Sequence, residues 1–160
     1  MSVTCLHDHD TKRPSVGEVG RGIEAATRRA VDAGERMTEP RRRVLELLLT
    51  ASEPVKAYDL ISRFHTDGRV AKPATVYRAL DFLEKLGLLH RISSISSYVA
   101  CSGDESAHAA AFLICDCCGS AREMPPPDEG ALARAAAARG YTLDRVTLEV
   151  HGHCPACQAR

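Results

Sequence analysis

Seven cysteines stand among 160 residues, and four of them form two C-x-x-C pairs, Cys115/Cys118 and Cys154/Cys157, with 35 residues between the pairs. A C-x-x-C turn aims two thiolates at a point about 2.3 Å from each sulfur, the zinc–sulfur distance, and two such turns close a tetrahedron. A closed four-thiolate shell keeps no position for a substrate, so the spacing predicts a structural site. The rival for Cys154-Pro-Ala-Cys157 is a redox dithiol, which needs a following helix to lower the first thiol's pKa. Three residues remain after Cys157, too few for that helix. An odd cysteine count does not suit a disulfide framework, and no apolar leader occupies the first twenty-two residues. Both features point to a reducing, cytoplasmic setting, where clustered cysteines bind metal.

A second set is His90, Cys101, His108 and Glu123. A thiolate, two imidazoles and a carboxylate make a borderline-soft, tetrahedral donor set suited to zinc. Each residue also fits a plain role: a half-buried histidine, an inert core thiol, a linker residue, an exposed strand charge. Spacing alone leaves both readings open. Cys117 reads as a spare thiol inside the first pair, and His151 and His153 as structural residues. Cys5, His7 and His9 form a loose group whose ordering entropy disfavours binding. An enzyme is not expected, because a catalytic zinc needs an open position and the deaminase pattern of H-x-E with P-C-x-x-C is absent. A zinc store, without DNA binding, is the plainer alternative.

These residues must be held by elements. The chain is 44% hydrophobic and 26% charged, enough for one or two small cores. At 4% aromatic it does not suit a base-stacking RNA-binding sheet. Its apolar runs are far shorter than the roughly 20 residues of a membrane span. Net charge is zero, yet residues 36–92 hold 11 Lys+Arg against 7 Asp+Glu, a modest bias toward phosphate. Residues 1–20 read as a flexible tail and 21–101 as the first domain. That domain has a weak helix over 22–33 and stronger ones over about 38–51, 57–65 and 73–87. Leu88–Ile92 and Ser97–Cys101 then read as a hairpin around the turn 93–96. Helices followed by a hairpin suggest a winged helix-turn-helix. Its last helix turns Thr75, Tyr77 and Arg78 outward near its start, just after Lys72, where a recognition helix meets base edges. A merely solvated face fits the same pattern. Residues 102–110 read as a linker. Residues 111–160 read as a small domain: strands 111–114 and 121–124 around the first cysteine pair, a helix after Pro125-Pro126-Pro127, and a strand over 141–150 with a bulge near 144–145. The fold class is α+β.

Five stretches together resemble the ferric uptake regulator (Fur) family, and within it the zinc uptake regulator (Zur) branch. They are Ala71-Lys-Pro-Ala-Thr-Val-Tyr-Arg-Ala-Leu-Asp-Phe-Leu83, Leu89-His90, Ser97-Tyr-Val-Ala-Cys101, Phe112-Leu-Ile-Cys-Asp-Cys-Cys-Gly119 and His151-Gly-His-Cys-Pro-Ala-Cys157. The resemblance spans about 36–157. It implies a homodimer, each chain with a winged-helix domain and a dimerisation domain, that represses transcription at a palindromic double-stranded DNA operator when a regulatory metal is bound. By position, Cys115, Cys118, Cys154 and Cys157 fall on structural zinc ligands, and His90, Cys101, His108 and Glu123 on zinc-sensing ligands. About two zinc ions per chain are therefore expected. The iron- and peroxide-sensing branches carry several histidines before the first cysteine pair, whereas here that stretch holds His108 followed by alanines.

Overall fold

The computed structural model describes residues 14–66, 69–70, 72–101, 110–125, 128–144 and 146–158. The first helix, α1 (Val16–Asp32), starts earlier than expected and takes in residues 16–20, which the sequence placed in a tail. The cause is local. Ser15 accepts from the Glu18 N–H at 3.3 Å, while the Glu18 carboxylate accepts from the Ser15 N–H at 2.7 Å. This reciprocal capping box satisfies two donors a helix start otherwise leaves open. Val19, Ile23, Ala26 and Ala30 form the buried stripe of α1.

The chain divides into two compact units, the first being Asp10–Asp104. In it, α1 is followed by α2 (Glu39–Leu49), β1 (Val55–Lys56), α3 (Ala57–Arg63), β2 (His65–Thr66), β3 (Arg69–Val70), α4 (Pro73–Lys85), β4 (Leu89–Ile92) and β5 (Ser97–Ala100). Apolar residues at helical spacing build one core: Val44, Leu45 and Leu48 from α2, Leu60 from α3, and Val76, Leu80 and Leu83 from α4. Pro73 opens α4 at a position where its missing N–H costs nothing, and Gly87 ends it at φ 65°, a left-handed conformation that favours glycine. The Arg41 guanidinium of α2 lies 3.3 Å from the centre of the Phe82 ring, adding a cation–π contact to the helix packing.

The wing is a hairpin with Leu89 opposite Ala100 and Ile92 opposite Ser97. A third strand, β1, pairs with the outer edge of β5, Val55 opposite Tyr98. The helix over 57–65 is shorter than expected. Phe64 turns extended, and β2 then pairs with β3 in a small antiparallel ribbon.

The second unit, Glu105–Arg160, holds β6 (Ala110–Cys115), β7 (Ala121–Met124), α5 (Glu129–Ala137), β8 (Thr147–Gly152) and α6 (Pro155–Gln158). β6 is central, antiparallel to β7 and parallel to β8. The expected strand over 141–150 is corrected: residues 141–144 are not strand, and β8 begins at Thr147 and runs on to Gly152. Arg145, half of the expected bulge, lies outside the described residues. Asp128 caps the start of α5, its side chain accepting from the Ala131 N–H at 2.9 Å, and Gly140 stands past its end at φ 75°. A further correction concerns α6. A single helical turn does follow Cys154, although three residues past Cys157 looked too few for a helix. No helix of the described residues is long and apolar enough to cross a membrane.

Candidate metal centre

Cys115 closes β6, and the chain turns sharply at 116–118 to bring Cys118 back beside it. Gly119 makes the turn possible at φ 73°, donating its N–H to the Cys115 carbonyl at 2.8 Å. The second pair sits beyond the end of β8. The parallel register sets Cys115 opposite Gly152, so the strand ends deliver both turns to the same place. Cys154 precedes α6, and the Cys157 N–H donates to its carbonyl at 2.9 Å.

The four sulfurs lie within 4.8 Å of one another. The Cys118 and Cys154 sulfurs are 3.9 Å apart, close to the edge of about 3.8 Å that a tetrahedron of 2.3 Å zinc–sulfur bonds requires. That is far beyond the ~2.05 Å of a disulfide, and all four cysteines are free. Cys115 is 3% exposed and Cys157 is 7% exposed, while Cys118 and Cys154 are half-buried. Burial pushes the Cys115 thiol up. The N–H groups of Cys154, Cys118 and Cys117 and the Cys118 side chain outweigh it and hold the thiol down at about 6, from a usual 9.0. One of these, the Cys154 N–H, lies 3.3 Å from the Cys115 sulfur. Ser120 Oγ stands 3.1 Å from the Cys118 sulfur. Four mutually close thiols, two buried and two half-buried, could together hold a metal ion, and Cys154 and Cys157 share their space with a second pair, which the redox-dithiol reading does not provide for.

His90 and Cys101 belong to the wing. His90 pairs with Val99, and the Cys101 N–H donates to the Leu88 carbonyl at 3.0 Å. The period of two puts Cys101 on the same face as Val99, diagonal to His90, and the ligand atoms of the two residues lie within 4.8 Å. His90 is buried. Glu123 belongs to the second unit, half-buried on β7 opposite Phe112. His108 lies outside the described residues, as do Cys5, His7 and His9. On α4, Lys72, Tyr77 and Arg78 are exposed and Thr75 is half-exposed, while Val76, Ala79 and Leu80 face the core. Cys117 is half-buried in the first turn. Sequence reasoning did not find the partner of His151. Its Nδ1 lies 2.8 Å from Asp116 Oδ1, a contact only the β6–β8 register reveals.

The sequence model of the Ferric uptake regulator family matches residues 32–151. The zinc uptake regulation protein of Escherichia coli (strain K12) is 40% identical over 124 residues, 76% of this chain and 72% of that protein. Among solved structures, a zinc uptake regulator complexed with zinc and DNA matches with a TM-score of 0.80 at 33% identity, covering 91% of this chain and 97% of the other. Holo XcZur matches with a TM-score of 0.75 at 40% identity, covering 86% and 97%.

Proposed function

Because the chain belongs to the Ferric uptake regulator family, a family of transcriptional regulators, and is similar to zinc uptake regulation proteins, we propose that it is a zinc-responsive repressor of zinc uptake genes. The observation that carries this reading is the pairing of His90 and Cys101. Two soft or borderline metal ligands stand within 4.8 Å, one on β4 and one just past the end of β5, in the unit that also holds α4. A sensor needs its ligands coupled to the element it controls, and a store does not.

Each chain then has two zinc sites. Cys115, Cys118, Cys154 and Cys157 form the structural one, and His90, Cys101, His108 and Glu123 the regulatory one. Zinc, when bound, supplies a tetrahedral anchor for the four regulatory ligands. Those ligands come from the wing, from 102–109 and from β7, so holding them together restrains the winged unit relative to the second. The protein spends more of its time in the arrangement that reads DNA, by the difference in zinc affinity between arrangements. In a homodimer this sets two α4 helices at the spacing of successive major grooves on a palindromic operator. Arg78 donates to guanine O6 and N7, Tyr77 and Thr75 contact thymine methyls or phosphates, and Lys72 neutralises a phosphate at the helix start. The exposed apolar side chains of the second unit support dimerisation. Leu113 and Val150 sit side by side in register at about half exposure, and Leu132, Tyr141 and Leu143 are also exposed.

Cys101→Ser tests the reading. Operator binding titrated with zinc, followed by fluorescence anisotropy, should require far more zinc than in the wild type, while sedimentation still reports a dimer. A variant that binds operator at the wild-type zinc concentration would show that Cys101 is no sensor ligand.

A further inference from the structure

The four-cysteine cage joins two turns far apart in sequence, so something besides the metal must keep them together. The β6–β8 ladder does most of this, but it ends at the rung of Cys115 and Gly152. Beyond it, one residue, His153, separates Gly152 from Cys154. At this end of the ladder Asp116, the residue after Cys115, makes two bonds to the incoming strand. Its N–H donates to the Gly152 carbonyl at 2.9 Å, and its carboxylate Oδ1 lies 2.8 Å from His151 Nδ1. A carboxylate only accepts, so His151 Nδ1 carries the proton in this bond.

We propose that Asp116 and His151 form a latch that holds the second cysteine turn against the first and slows the loss of zinc from the four-cysteine site. The proposal rests on the structural-zinc reading given above. Neither residue is a ligand; both are positioning residues. Zinc leaves a cage of two turns when one turn swings away with its two thiolates, and the latch closes the point at which Cys154 and Cys157 part from Cys115. The side chains are 40% and 53% exposed, so the gain is that of a solvated, well-aligned pair and not of a buried one. Pairs of this kind are worth up to about 1 kcal/mol, which sets a change of about three- to fivefold.

The test uses the full-length, zinc-loaded protein. Wild type, His151→Ala, Asp116→Ala, the double variant and His151→Asn are challenged with excess chromophoric chelator, and release of the slower zinc is timed. His151→Asn keeps a donor nitrogen on Cγ, where Nδ1 sits. Starting zinc content should be equal in all five. The alanine variants should release zinc about three- to fivefold faster, the double variant no faster than either single, and His151→Asn at close to the wild-type rate. With zinc held, an unchanged rate, effects that multiply in the double variant, or an Asn variant as fast as Ala each overturns the latch. A wild type holding no slowly released zinc refutes the four-cysteine reading instead. Amide exchange at Asp116 in the metal-free protein then decides the latch alone: faster exchange in His151→Ala supports it, and unchanged exchange overturns it.

Discussion

At the residue scale, chemistry is concentrated where two strand ends meet. Cys115 is buried yet surrounded by N–H donors, so its thiolate is formed readily. Cys118→Ser should therefore cost the chain its chelator-resistant zinc and lower the unfolding temperature of the second unit, because metal binding and folding are linked in such sites. Elemental analysis beside a thermal melt checks both, and a variant with full zinc content and an unchanged melt would remove Cys118 from the ligand set. The four cysteines were legible in the sequence because C-x-x-C spacing fixes local geometry without help from the fold. The Asp116–His151 bond was not, since it depends on which residue of β8 lies beside Ile114. His90 and Cys101 fall between these cases. A short hairpin turn sets the register that brings them together, but that register pairs distant residues and spacing alone does not give it.

Elements explain how such residues are placed and held. The helix α4 presents Lys72, Tyr77 and Arg78 because Val76, Ala79, Leu80 and Leu83 anchor its other side. Leu80 is 1% exposed, so Leu80→Ala should destabilise the first unit by roughly 2–5 kcal/mol in urea denaturation. A loss under about 0.5 kcal/mol would mean that the helix is not fixed by this core. Ser15→Ala should cost about 1 kcal/mol, felt as faster amide exchange in the first turn of α1 and not as global unfolding. Long amphipathic helices were readable from period alone. The start of α1 was missed because residues 16–20 hold two glycines and follow a polar stretch, although Ser15 and Glu18 carry the capping-box spacing that announces it. β1, β2 and β3 have two residues each, too short for any alternation to register; β1 exists through pairing with the distant β5, and β2 and β3 through pairing with each other. β8 was placed too early because Tyr141 and Leu143 are exposed apolar residues that imitate an inward face.

The whole molecule carries zero net charge, with its basic excess confined to the segment that holds α2 and α4. In the proposed assembly this gives DNA binding that weakens steeply with salt, while the second unit associates through apolar surface. Val150→Lys, on the half-exposed face beside Leu113, should weaken the dimer and with it operator binding, as sedimentation equilibrium would show. A dimer of unchanged strength would move the interface elsewhere. In the proposed function one zinc builds the protein and a second, exchangeable zinc controls its hold on DNA. The most direct test is zinc content per chain under graded chelation, read alongside operator affinity. The account predicts two zinc ions per chain, one released first as operator affinity falls and one retained long after. A single tightly held zinc, with operator affinity indifferent to chelator, would contradict it.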